Sequence, residues 1–456
     1  MNESVSEDTW LWVRGVLRSW LEDPGVEEFR GLNMSELQMD QAYMMGIADG
    51  DVGVYSVSDD CFRCPFELQK SLDPSSNSSW IVSTAKRSTW RVYSGADEQF
   101  ITARNTTGLL CQMRPNLGEF GVYTLNATSE GCDIRTEKEP VDIYMPLLLL
   151  LGVLIGASIL YGVLRLIMSR VRRSAKLRYG DKELALQQRL RALDTFRGIA
   201  IVFMIFVNDG AGGYWWLEHA TWNGLSAGDL VFPAFLWIMG VCIPLSIKSA
   251  FAKGIPRWKI VLHIFKVNQI LYFITIRRER NKYKINSYNE FRRYVAGCLT
   301  SAVQALVGIQ AGATVLLQRS HKARVSRWLA WALVLALAGA LLAGFSREHG
   351  VLPINKNLWS MSFVLVTSAV SLAILSICYT FTDAWRLWGG GPFRAPGLNA
   401  IALYIGHSIC AHIFPFHWKI PTMRTHAVYL VEAVWGTALW VIIAHVMARK
   451  KVFITL

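Results

Sequence analysis

The chain has 456 residues, 52% of them hydrophobic and 18% charged, with 18 tryptophans and a mean hydropathy of +0.27. That apolar load excludes a disordered or ordinary water-soluble chain and places most of the sequence in a bilayer. The net charge of +13 does not describe a nucleic-acid binder, because the basic residues lie scattered between apolar spans and form no continuous face.

Charge is divided unevenly along the chain. Residues 1–143 carry −11 and the remainder +24, the balance expected of a luminal head followed by basic cytosolic loops. Residues 1–30 are amphipathic and contain no apolar h-region, so a signal peptide is expected to lie outside this sequence. Sequons occur at Asn2, Asn33, Asn77, Asn105 and Asn126 and nowhere later. Confined to the acidic head, they predict a glycosylated domain outside the cytosol, with Asn33, Asn77, Asn105 and Asn126 as acceptors. Cys61, Cys64, Cys111 and Cys132 share that head, which has no histidine. Four cysteines there predict disulfides, in any of three pairings, over a zinc site. The stretches WIVSTAKRSTWRVYSG and GEFGVYTLNATSEG have the β-branched and aromatic content of strands, so a small antiparallel β domain is predicted over about 35–140.

Residues 144–168 are apolar and long enough to span a membrane. The Lys/Arg-rich segment 169–193 follows and marks the cytosolic side. The remaining domain, 194–456, is predicted to cross repeatedly. Its spans are 197–208, 229–250, 259–276, 296–317, 328–345, 357–380, 398–416 and 427–448, about nine in all with the first. Segment 267–297 is atypical: if 259–276 crosses, the basic run after residue 276 lands in the lumen against the positive-inside rule, and if it does not, every later span inverts. The C-terminus is predicted to be cytosolic.

The chemistry concentrates in DTFRGIAIVFMIFVNDGAGGYWWLEHATWNGLSAGDLVFPAFLWIMG, residues 194–240. Asn208, Asp209, His219, Trp222, Asn223 and Asp229 gather where two spans turn over, and ionisable groups at a membrane boundary point to a site. His219 is the side chain there that can exchange a proton near neutral pH. Plainer roles stand beside these. Tryptophans at a boundary usually anchor the interface, Asp229 can cap the following helix, and Asn208 can satisfy free carbonyls. His407 reads as a hydrogen-bonded core residue. His412, His417 and His426 lack metal-ligand spacing, and no metal site is predicted. Lys356, in NKN, can meet a sulfate or phosphate.

The 194–240 stretch resembles the core of the lysosomal heparan-alpha-glucosaminide N-acetyltransferase family of transmembrane acyltransferases. VLPINKNLWSMSFV, LYIGHSICAHIFPFHWK and ARKKVFITL resemble its C-terminal half, and MDQAYM, CFRC, GEFGVYTL and CDIRTEKEPVD its luminal domain. The resemblance covers about 85% of the chain. It implies acetyl transfer from cytosolic acetyl-CoA to the non-reducing terminal glucosamine of heparan sulfate, in the lysosomal membrane. By similarity His219 stands at the catalytic histidine, with Asn208 and Asp229 as polar partners. Trp215, Trp216, Trp222, Asn223 and Lys356 are read as substrate contacts. Acetyl-CoA is the co-substrate, without a metal; membrane lipid and a second copy are further expected partners, and nucleic acid is not. The family carries about eleven spans, and two are missing here around 267–297, so an inactive isoform, transporter or receptor on the same helices is the rival reading.

Overall fold

The computed structural model describes residues 28–61, 63–74, 78–95, 98–129, 131–173, 190–252, 287–411 and 425–454. The chain divides into two compact units. One takes in residues up to 188 with 212–215 and 418–432; the other takes 189–211, 216–417 and 433–456.

The first unit contains a β-sandwich. A four-stranded sheet has the order β11(Gly131–Lys138), β10(Val122–Thr128), β3(Gln41–Ala48), β6(Ser78–Ser83). A five-stranded sheet has the order β8(Phe100–Ile101), β5(Phe66–Leu72), β4(Val52–Ser58), β7(Ser88–Ser94), β9(Leu109–Met113). A hairpin of β1(Glu28–Phe29) and β2(Leu32–Asn33) precedes them. Alternation drives the assembly, since successive side chains of a strand point to opposite faces. Met44 of β3, Val54 of β4, Val92 of β7 and Leu125 of β10 enter one core shared by both sheets. Tyr43 and Val122, one residue out of phase, join Met34, Leu37 and Phe120 behind the first sheet.

The sequence predicts an antiparallel domain; one pairing differs. β10 runs parallel to β3, Val122 opposite Tyr43 through Ala127 opposite Ala48. Strands β4 to β9 intervene and supply the long crossover that a parallel pair requires. Of the three possible cysteine pairings, Cys61–Cys64 and Cys111–Cys132 form. The second joins edge strand β9 of one sheet to edge strand β11 of the other. Asn33 and Asn105 are exposed, Asn126 is half-buried in β10, and Asn77 lies outside the described residues.

Beneath the sandwich, this unit holds a buried polar cluster. His426 Nε2 lies 3.1 Å from Asp40 Oδ1, its Nδ1 lies 2.8 Å from the Gly212 carbonyl, and the Tyr214 ring stacks on it at 4.6 Å. Tyr214 donates its hydroxyl hydrogen to the Ile143 carbonyl, and burial pushes its pKa up. Glu119 accepts from the Asp40 backbone N–H at 3.1 Å and lies 4.0 Å from His426. Burial pushes the Glu119 carboxyl up to about 7, against the downward pull of His426 and of the Asp40 N–H.

Six helices are long and apolar enough to cross a membrane among the described residues, in windows 145–164, 227–249, 299–317, 321–342, 361–384 and 426–449. α1(Met145–Arg173) carries the first, none of it buried against other described residues. In the second unit, α2(Arg191–Asn208), α3(Val231–Ala252), α4(Ser287–Leu317), α5(His321–Leu342) and α6(Met361–Tyr379) share one core, with Phe196, Trp237, Trp328, Leu372 and Tyr379 at its centre. After the short α7(Arg394–Leu398), α8(Ala400–Ile409) packs with α2 and α9(His426–Arg449) around Ile201, Leu403 and Trp440. Of the nine predicted spans, 259–276 falls outside the described residues. Segment 197–208 lies in α2, whose first turns carry Arg191, Asp194 and Arg197, and 398–416 yields a helix of only ten residues. The chain is an α-helical polytopic membrane protein with a β-rich N-terminal region.

Close packing in this unit depends on glycine. A Cβ on Gly240 of α3 would strike the Ala305 carbonyl of α4, and one on Gly308 of α4 would strike the Trp237 carbonyl. Small residues let helix backbones approach where lipid removes the hydrophobic drive between helices. The chain direction is equally clear. Gly339, near the end of α5, faces Ser362 at the start of α6. His321, at the start of α5, lies 2.7 Å from the Tyr379 hydroxyl at the end of α6. The two helices are therefore antiparallel, and the loop joining them lies at one end of the unit.

A carboxyl whose folded-state pKa is raised holds its proton more tightly than in the unfolded chain, so its contribution to stability is full at low pH and lost as pH rises through the folded value. The melting temperature of the purified full-length chain is expected to fall between pH 4.5 and about 7 on account of Glu119. Glu119→Gln should flatten that slope, as read by thermal unfolding across the same range.

Candidate active site

The site grows from the end of α2. Asn208 is the last residue of that helix, with Asp209 as its C-cap, and the polar loop returns to the bilayer through a 3-10 turn, Ala227–Leu230, that leads into α3. Two backbone hydrogen bonds zip the loop shut: Ala227 N–H to the Trp216 carbonyl at 3.2 Å and Gly228 N–H to the Leu217 carbonyl at 3.1 Å. Gly228 is required here. A Cβ at that position would meet the Leu217 carbonyl at 2.9 Å and His219 Nδ1 at 3.1 Å.

Asp229 is wholly buried. Its Oδ2 accepts the backbone N–H groups of Ala220 at 3.0 Å and Ser226 at 3.1 Å; the latter is half of a capping box with Ser226. The capping role and the functional one thus use different oxygens of one carboxylate. Oδ1 faces His219 Nδ1 at 3.0 Å and Lys356 Nζ at 3.0 Å. The His219 side chain is 50% exposed and that of Lys356 26%. A buried carboxylate is tolerated when its lone pairs are filled and its charge is paired; here four donors meet it.

Lys356 reaches this point because its loop is fastened to the His219 loop. Gly224 N–H donates to the Ile354 carbonyl at 2.8 Å, Asn223 and Asn355 form an antiparallel bridge, and Asn355 Nδ2 donates to Asn223 Oδ1 at 3.0 Å. Arg347 Nε donates to the Asn223 carbonyl at 3.0 Å. Asn355 Oδ1 accepts from Leu358 N–H at 2.8 Å. The pattern NKN carries a signal that residue-by-residue reading passes over: the first Asn ties the loops and the Lys enters the cluster.

The sequence-predicted residues fall into distinct places. His219, Asp229 and Lys356 come together. Asn208 Nδ2 lies 3.2 Å from Nε2 of buried His407, so the histidine read as a hydrogen-bonded core residue has Asn208 as its partner. Asn223, read as a substrate contact, is 6% exposed with its side chain committed to Asn355. Trp216 is exposed and Trp222 half-buried on the His219 loop. Trp215 is exposed and belongs to the first unit. His412 and His417 lie outside the described residues, and His426 sits in the first unit's buried cluster. Among the described residues no group of three His, Cys, Asp or Glu is placed to hold a metal ion.

An imidazole anchored through Nδ1 on a carboxylate, with its ring half open, is suited to proton exchange or nucleophilic attack through Nε2. The fold and this site define a multi-span membrane protein in which a carboxylate, an imidazole and an ammonium meet at the turnover between two helices. No family model matches the sequence. Heparan-alpha-glucosaminide N-acetyltransferase of Mus musculus is 27% identical over 602 aligned positions, covering 94% of this chain and 90% of the mouse protein. The Homo sapiens protein of the same name is 26% identical over 595 positions, covering 92% of this chain and 88% of its own length. Similarity of that extent to the two proteins spans both units of the chain. The alignments are longer than the 456 residues of this chain, so the relatives carry internal segments without a counterpart here.

Removing the Asn355 side chain would leave the Asn223 amide oxygen buried without its donor, a loss of about 1–3 kcal/mol. Asn355→Ala is expected to destabilise the solubilised chain by that margin, read as a lower thermal midpoint in a melting experiment.

Proposed function

We propose that the chain is a lysosomal membrane enzyme that moves acetyl from cytosolic acetyl-CoA to the non-reducing terminal glucosamine of heparan sulfate. The observation that carries the reading is the His219–Asp229 pair, held by buried backbone ties, in a chain that aligns with the two acetyltransferases over more than nine-tenths of its length. Disulfides in the β-sandwich support a head facing an oxidising lumen, where Asn33, Asn77, Asn105 and Asn126 would carry glycans. The basic run 169–193 and the terminal ARKK support a cytosolic side opposite it.

In this reading His219 is the catalytic base. Asp229 accepts from Nδ1–H in the tautomer that leaves a lone pair on Nε2. The acceptor amine attacks the thioester carbonyl carbon, forming the C–N bond. Nε2 takes the amine proton, and the C–S bond breaks as that proton passes to the departing CoA sulfur. Asn208 has a second amide hydrogen, beyond the one facing His407, with which to meet the carbonyl oxygen as negative charge develops. Trp216 and Trp222 offer aromatic faces to the sugar or to the adenine. One observation favours the inactive alternative: the relatives contain internal segments that this chain lacks.

The test is transfer from labelled acetyl-CoA to a glucosaminide in membranes containing the chain. His219→Ala is expected to lower the rate by about 10²–10⁴, the range of general acid–base catalysis. An unmutated chain, well inserted, that transfers nothing would support the inactive reading.

A further inference from the structure

Lys356 stands in the sequence as a loop cation available to a sulfate or phosphate, and the geometry commits it elsewhere. Its Nζ lies 3.0 Å from Asp229 Oδ1 and 2.9 Å from His219 Nδ1, and His219 Nδ1 lies 3.0 Å from the same Oδ1. The three atoms close a triangle. An ammonium can donate to both neighbours and Oδ1 can accept two hydrogens, but Nδ1 carries either a proton or a lone pair. With the proton on Nδ1, Asp229 accepts it; with the lone pair there, Lys356 donates to it. The ring thus keeps a partner for Nδ1 in either tautomer.

Charge points the same way. Alone, a buried carboxylate beside an imidazole favours the protonated ring. Here the ring faces a carboxylate already matched by an ammonium. The ammonium is not at the tip of a wandering loop. Asn355, its chain neighbour, is 2% exposed and bonded to Asn223, and Ile354 is tied through its carbonyl to Gly224.

We propose that Lys356 is a positioning residue that balances Asp229 and holds the His219 ring in orientation, and that it does not grip anionic groups of the acceptor. The proposal rests on the reading of His219 as the centre of acetyl transfer. It is tested with the full-length chain in membranes, comparing Lys356→Met and Lys356→Arg with the unmutated protein. Two acceptors are used, an uncharged glucosaminide and a sulfated heparan-type oligosaccharide. Carbethoxylation of His219 by diethyl pyrocarbonate, which reads the unprotonated ring, is followed in parallel by peptide mass spectrometry.

Lys356→Met should lower kcat by about tenfold, the low end of acid–base contributions, on both acceptors, with KM for acetyl-CoA unchanged. Lys356→Arg should recover most of the loss. Carbethoxylation near neutral pH should change several-fold in Lys356→Met, because the ring loses the ammonium that meets Nδ1. A normal kcat on the uncharged acceptor with a raised KM for the sulfated one alone would overturn the proposal and make Lys356 a substrate contact. Equal losses in both variants with unchanged carbethoxylation would overturn it as well. If the unmutated chain transfers no acetyl, the enzymatic reading fails, and the carbethoxylation rate still decides the role of Lys356.

Discussion

The second unit depends on one buried carboxylate. Asp229 lies at the mouth of a membrane helix, where an uncompensated charge costs several kcal/mol. Its neighbours answer that cost atom by atom: two backbone N–H groups on Oδ2, an imidazole and an ammonium on Oδ1. Each donor constrains a segment. The backbone donors close the loop and start α3, His219 is fixed through one ring nitrogen, and the α5–α6 loop is drawn in through Lys356. Loss of the carboxylate would release all of them together.

The helices below supply a rigid rim. Gly240 and Gly308 bring α3 and α4 into backbone contact, and the antiparallel α5–α6 pair delivers its connecting loop to the end where α2 terminates. Because both loops issue from close-packed helices, the Asn223–Asn355 bridge joins two fixed supports. Placing a polar cluster on such elements fixes its geometry. Asn208 and His407 form a second polar pair, from the ends of α2 and α8.

The first unit solves a different problem. Its sandwich has open edges, and the Cys111–Cys132 link fastens an edge strand of one sheet to an edge strand of the other. The buried cluster of Asp40, Glu119, Tyr214 and His426 joins segments distant in sequence, and a carboxyl with a pKa near 7 makes that union favour acidic conditions.

Much of this was legible in the chain. Hydropathy marks the long helices because a bilayer demands about twenty apolar residues and every backbone polar group satisfied within the segment. Alternation marks the strands, and the closeness in sequence of His219 and Asp229 anticipates that they meet. These are local signals, written within a window of a few turns. What tertiary structure decided is long-range. The parallel pairing of β3 with β10, the choice among three cysteine pairings, and the arrival of Lys356 beside a histidine 137 residues earlier depend on which surfaces pack. A lysine between two asparagines looks like a solvated loop until the asparagines are seen to hold two loops together. No periodicity encodes such a contact; its distance is set by the helices that carry the loops.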